Sequence, residues 1–153
     1  MQMLCEAIKY EINFVQDNES MSIKGTVRGL HYQAAPYSQA KLVRVIKGKV
    51  LDIVVDIRKS SATFGKYVSV ELSEENKNQL FIPHGFAHGF VVLSDTAIFS
   101  YKVDNYYSPD HERGILFNDK TLDINWRFPI SYLKLSEKDK NHPAFTKAQD
   151  LFD

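Results

Sequence analysis

An antiparallel β-sandwich or barrel in one domain is the fold that this 153-residue sequence predicts. Three observations lead there. Short stretches alternate apolar and polar residues, turn residues separate them at regular intervals, and helical spacing is confined to the two ends. At this length one core can bury about two-thirds of the unfolded surface without a metal or a disulfide. No repeat, low-complexity stretch or linker divides the chain, so a single domain is expected over residues 1–153.

Leu4, Ala7 and Ile8 sit at helical spacing and predict a short helix over Met1–Tyr10. From Ile12 the pattern becomes β-like. Lys41–Lys47 predicts one strand, and Leu51, Ile53, Val55 and Ile57 alternating with Val50, Asp52, Val54 and Asp56 predict the next. Gly48 and Lys49 between them read as the turn of a hairpin. Val68, Val70 and Leu72 repeat the alternation against Tyr67, Ser69 and Glu71. Further strands are expected at Gln79–Ile82, His88–Leu93 and Ala97–Val103, with Ser94-Asp95-Thr96 as the turn between the last two. Near the end, Ser136–Lys140 and Ala144–Phe152 predict short surface helices, Ser136 serving as an N-cap.

Composition narrows the class of function. Nineteen basic residues balance nineteen acidic ones, so no global field draws the chain to nucleic acid or a membrane. Any affinity for an anion must come from a local cluster. The single cysteine, Cys5, has no internal partner, which fits a reducing compartment. The first ten residues lack a secretory pattern, and no apolar run approaches the ~20 residues of a membrane helix. A cytoplasmic protein is expected.

The chemistry-bearing residues cluster early. Arg28-Gly29-Leu30-His31-Tyr32-Gln33, with Lys41 and Arg44, puts a histidine, a lysine and two arginines within 17 residues. A neutral imidazole takes a proton near pH 7, and a cationic side chain holds an anion. Together they suit removal of a proton beside a carbonyl on an anionic substrate; the plainer reading is a surface histidine among ordinary basic residues. Tyr101 shares a strand face with Ala97, Phe99 and Val103, which fits either a core tyrosine or a proton donor lining a barrel. His84 and His88, four apart, could meet at one metal. Their Pro-Gly-rich segment and the absence of a His-x-His pair argue instead for no permanent metal and for a buried or substrate-facing His88. Tyr106 and Tyr107 could stack on a planar base or lie in a plain polar loop with Glu112. Asp139 reads as an ordinary charge on a helix. One feature breaks the period: Arg28 and His31, three apart, would point to opposite faces of a flat strand unless Gly29 carries a bulge or strong twist, or Arg28 reaches in from the rim.

Several motifs stand in order: Gln16-Asp17-Asn18, the Arg28–Gln33 stretch, Lys41-Leu42-Val43-Arg44, Asp56-Ile57-Arg58, Ser61 to Phe64 with Gly65, Ile82–Phe90, and Tyr101 through Tyr107. This series closely resembles the dTDP-4-dehydrorhamnose 3,5-epimerase family. The resemblance implies an all-β antiparallel jelly-roll (cupin-like) barrel with short helices at the termini. It implies His31 as catalytic base, Asp139 as the carboxylate orienting it, Tyr101 as acid on the opposite face of the sugar, and Lys41 facing the developing enolate. By the same resemblance Gln16, Asn18, Arg28, His88, Tyr107, Glu112 and Lys138 contact the nucleotide-sugar. The implied reaction converts dTDP-4-dehydro-6-deoxy-D-glucose to dTDP-4-dehydro-L-rhamnose with no cofactor and no metal. A dTDP-sugar and a second copy of the chain, in a homodimer, are the implied partners. The match begins after the family's usual N-terminal segment, which carries an Asp-x-Arg-Gly-x-Phe stretch and lends an arginine and an aromatic ring to nucleotide binding; weaker nucleotide binding is therefore expected. The alternatives are an epimerase of C5 or C3 alone, a non-catalytic sugar-nucleotide-binding jelly roll, and a metal-dependent cupin isomerase or oxygenase.

Overall fold

Nine strands account for most of the regular structure in the computed structural model, which describes residues 11–153. The helix expected over Met1–Tyr10 lies outside the described residues. The strands are β1 (Gln16–Ile23), β2 (Val27–Gln33), β3 (Lys41–Lys47), β4 (Lys49–Asp56), β5 (Tyr67–Ser73), β6 (Gln79–Ile82), β7 (Phe86–Val92), β8 (Thr96–Val103) and β9 (Glu112–Gly114). They form a four-stranded sheet in the order β1-β8-β3-β6 and a five-stranded sheet in the order β5-β4-β7-β2-β9. Every pairing between these strands is antiparallel. Among the described residues no helix is long and apolar enough to cross a membrane.

Alternation sends the two faces of each strand into different surroundings. Val50 and Val54 of β4 pack between the sheets with Val43, Val45, Phe90, Val92, Ala97 and Phe99. Leu51, Ile53 and Val55 face the other way, against Val27, Leu30, Ile115, Phe117, Trp126 and Phe145. The chain beyond β9 thus lies over the outer face of the five-stranded sheet and buries it. Each large side chain so enclosed stabilises the fold by roughly 1.5–3 kcal/mol. Two carboxylates on β4 are buried as well. Asp56 is bound by Arg58, Ser61 and Thr63; Asp52 belongs to the site described below.

Two expectations need correction. Strands β3 and β4 are consecutive but do not form a hairpin. Strand β3 pairs with β6 and β8, β4 with β5 and β7, and the turn at Gly48 carries the chain from one sheet to the other. Gly48 has φ +79°, and a Cβ there would lie 2.1 Å from the carbonyl oxygen of Thr96, so the turn is wedged against the Ser94–Thr96 corner. Alternation around a glycine reports a reversal, not which strand becomes the partner. The second correction concerns Ala144–Phe152. Only Phe145–Lys147 makes a 3₁₀ turn, and Phe152 bridges Arg58. Phe145 is buried rather than superficial because it closes the outer core.

The irregularity of β2 resolves the problem of Arg28 and His31. Arg28 pairs with Phe90 and His31 with His88, so three steps on β2 oppose two on β7. One extra residue at Gly29-Leu30 restores the alignment of the two side chains. Gly29 has φ +131°, and a Cβ would lie 2.5 Å from the Cα of Gly89, so only glycine fits this close approach. The expected helix over Ser136–Lys140 is present as Glu137–Lys140, with the Ser136 hydroxyl accepting from the Asp139 amide at 3.1 Å.

Candidate active site

Two adjoining cavities between the sheets, about 210 and 220 Å³, share three lining residues among those described: His31, Lys41 and Tyr101. Each comes from a different strand. His31 lies on β2, Lys41 opens β3 and Tyr101 stands near the end of β8. The first cavity adds Gln16, Asn18, Tyr107 and Glu112; the second adds Arg28 and His88. Apart from Asp139 and Lys138, all the residues to which the resemblance assigns a role line one cavity or both.

Asp139 stands immediately behind His31. Its Oδ1 is 2.6 Å from His31 Nε2, and the residue is buried. Burial alone would raise this carboxyl, but bonds from His142 and His31 outweigh it and hold Asp139 well below the usual carboxylate range. An ionised carboxylate can only accept, so Nε2 carries the ring proton and Nδ1 is left as the acceptor. The Ser136 cap fixes the short helix that presents the carboxylate. Nothing in the periodicity of the segment reveals this, because the partner is 108 positions away.

Lys41 is half-buried at the cavity wall. Burial pushes its ammonium down to about 8, against the opposing pull of Asp52 and Glu112. Asp52, fully buried on β4, faces His88 Nε2 with both oxygens, at 2.9 and 3.1 Å. Burial raises the Asp52 carboxyl, while His88 and Lys41 pull it down. Alternation assigns Asp52 to a polar face, but that face turns into the barrel. An acidic residue flanked by Val50, Leu51, Ile53 and Val54 is the signal that marks it as special. Burial raises the Tyr101 phenol, with Arg28 opposing and Glu112 assisting, so it is protonated at neutral pH and able to donate.

The cavity rim is a second cluster. Tyr107 donates to Glu112 at 2.5 Å, and Lys138 also bonds Glu112. Burial would raise the Glu112 carboxyl, but the Lys138 and Tyr107 bonds prevail and lower it. Lys138 thus reaches the rim through Glu112 rather than lining the cavity itself. Gln16 donates to Asn18 at 2.8 Å on β1, and Arg28 donates to Ser22 at 3.1 Å. Tyr106 and Arg44 stay outside; Arg44 lines a depression with Asp17, Glu19 and Gln79. His84 and His88 do not converge. His84 bonds Asp104 at 2.7 Å, whereas His88 is committed to Asp52. His142, like Asp52, is a residue that sequence reasoning misses. It follows Asp139 at helical spacing, and its ring stands edge-on to that of His31, 5.5 Å between centroids.

Known proteins resemble this chain closely. Residues 2–147 match the family described as dTDP-4-dehydrorhamnose 3,5-epimerase. The dTDP-4-dehydrorhamnose 3,5-epimerase of Shigella flexneri is 58% identical over 143 residues, 94% of this chain and 78% of the relative. The crystal structure of the Elizabethkingia anophelis NUHP1 enzyme of the same name superposes with a TM-score of 0.92 at 51% identity, covering 95% of this chain and 79% of that one. A Legionella pneumophila Philadelphia 1 dTDP-6-deoxy-D-glucose-3,5-epimerase, solved in complex with dTDP-4-keto-L-rhamnose, gives 0.91 at 46%, covering 95% and 77%.

Proposed function

The chain belongs to the dTDP-4-dehydrorhamnose 3,5-epimerase family, and we propose that it performs the double inversion with His31 as base, Tyr101 as acid and Lys41 beside the enolate oxygen. It is a sugar-nucleotide epimerase of dTDP-rhamnose biosynthesis. The substrate in this reading is dTDP-4-dehydro-6-deoxy-D-glucose and the product dTDP-4-dehydro-L-rhamnose. The supporting observation is that His31, Tyr101 and Lys41 are the three residues common to both cavities.

C3 and C5 each flank the C4 ketone. His31 Nδ1 takes the proton from one of them, and the bonding pair moves into an enolate whose charge rests on the C4 oxygen. Lys41 stabilises that oxygen, and a donor so placed is worth about 2.7–4 kcal/mol. Tyr101 then delivers a proton to the opposite face of the same carbon, and the two groups re-equilibrate with water before the second carbon reacts. The steps balance without nicotinamide, flavin or metal. Asp139 holds the ring and stabilises the imidazolium formed in between. Gln16, Asn18, Arg28, His88, Tyr107, Glu112 and Lys138 line or rim the space left for the dTDP-sugar. Turnover of that substrate in D₂O is the test: the product should carry deuterium at both C3 and C5. Label at one position only would make the chain a single-site epimerase, and no turnover would leave a binding protein.

The Lys41 shift has a sign that can be checked. Its ammonium is present below about pH 8 and lost above it, so the rate should fall on the alkaline side of about 8. Lys41→Met should lower the rate and remove that limb. The unfolded chain keeps this proton up to the ordinary value of 10.5. Between the two values the folded state binds fewer protons, and this lysine's contribution to stability rises with pH. A loss of rate in that window is therefore not caused by this lysine destabilising the fold.

We also propose a cytoplasmic homodimer. Among the described residues, strand β1 is an edge of its sheet and exposes Met21 and Ile23 by 70% and 51%. Edges with apolar side chains are normally paired or covered. Sedimentation should give a dimer, and a monomer at micromolar concentration would refute the assembly.

A further inference from the structure

We propose that His31, Asp139 and His142 form a binding site for a divalent first-row transition ion, zinc above all, and that its occupation switches the catalytic base off. The site rests on geometry; the switch rests in addition on the assignment of His31 as base. Two imidazole nitrogens and a carboxylate oxygen lie within 4.8 Å of one another, the donor set of an open tetrahedral zinc centre. Zinc bonds of about 2.0–2.1 Å at tetrahedral angles place donors about 3.3 Å apart. His142 Nε2 and Asp139 Oδ1 are already 3.3 Å apart. His31 Nε2, at 2.6 Å from the same oxygen, needs only to swing outward into the cavity that its ring lines.

An independent observation aims at the same point. His142 Nε2 is buried and, among the described residues, has no partner beyond its long 3.3 Å contact with Asp139 Oδ1, an arrangement that costs free energy unless something satisfies the nitrogen more fully. Its side chain is nine-tenths buried, packed where Gly114 has no Cβ; a Cβ there would lie 2.3 Å from Nε2. Asp139 is held by the Ser136 cap, so two of the three ligands are fixed before any ion arrives.

The consequence for His31 follows from its two nitrogens. A metal on Nε2 takes the lone pair there, and the single proton of the neutral ring shifts to Nδ1. That leaves no acceptor on the imidazole, so proton abstraction stops while the fold and the nucleotide contacts persist. No electrons are transferred, and chelation reverses the change.

The test is calorimetric titration of the whole chain with zinc chloride, alongside turnover in zinc and in chelator. One zinc per chain should bind, and turnover should fall with occupancy and return on chelation. His142→Asn should lower zinc affinity by at least about tenfold, the low end of what losing even an outer partner costs. His84→Asn removes an imidazole that also sits beside a carboxylate, and it should bind zinc as the parent does. Of the five histidines, zinc should shift the ¹⁵N resonances of two imidazoles in the unmodified protein, which keeps the test open if the His142 variant folds poorly. A flat isotherm, or equal zinc affinity in His142→Asn, overturns the site. Calorimetry needs no substrate, so a failure of the base assignment would leave the isotherm intact and remove only the inhibition.

Discussion

His31→Ala should lower turnover by about 10²–10⁴-fold, the usual contribution of a positioned acid or base, and should abolish solvent exchange of the C3 and C5 hydrogens. The size follows from the arrangement behind the ring. Asp139 is ionised and 2.6 Å from Nε2, so the imidazole is fixed in one tautomer with Nδ1 free to accept. No second imidazole shares the role: His88 is tied to Asp52, His84 to Asp104, His111 to Ser108, and His142 lies behind the dyad. Asp139→Asn keeps the shape of the carboxylate but can also donate, so the tautomer is no longer dictated. Exchange should then slow without vanishing. Proton NMR of substrate in D₂O reads both variants, and undiminished exchange in His31→Ala would sink the assignment.

Tyr101→Phe should separate the two halves of the inversion. The change removes one oxygen from a ring that packs against Phe99 at 6.0 Å between centroids, so the core is little disturbed. Abstraction by His31 continues and deuterium enters the substrate. Delivery to the opposite face fails for want of the phenolic proton. The expected phenotype is exchange near the parental rate with inverted product reduced by about 10²-fold or more. Wild-type yields of inverted product would mean that water or another group is the acid.

Much of the fold was legible because its strands obey a period of two, and each of the segments 41–47, 67–73, 79–82 and 97–103 is a strand. What alternation cannot convey is partnership. Gly48 and Ser94 both mark reversals, yet each sends the chain to the other sheet rather than back along its own. The C-terminal segment departs from its local pattern for a related reason: Phe145 and Trp126 are buried by a sheet face whose position no local pattern encodes. At the site, the irregular Arg28–His31 spacing was itself the clue, since a bulge at Gly29 is the way both side chains can line one cavity. Asp52 and His142 escaped because their meaning lies in contacts with His88 and Asp139, made across strands and through a helical turn.

The assignment of base and acid is tested most directly by the structure of this chain bound to a 4-hydroxy analogue of the substrate, which lacks the ketone and cannot react. The sugar ring should lie between the two catalytic groups, His31 Nδ1 facing C3 and C5 from one side and the Tyr101 hydroxyl from the other, with Lys41 against the C4 substituent. A sugar with His31 and Tyr101 on the same face, or seated in the depression lined by Arg44 and Gln79, would contradict it.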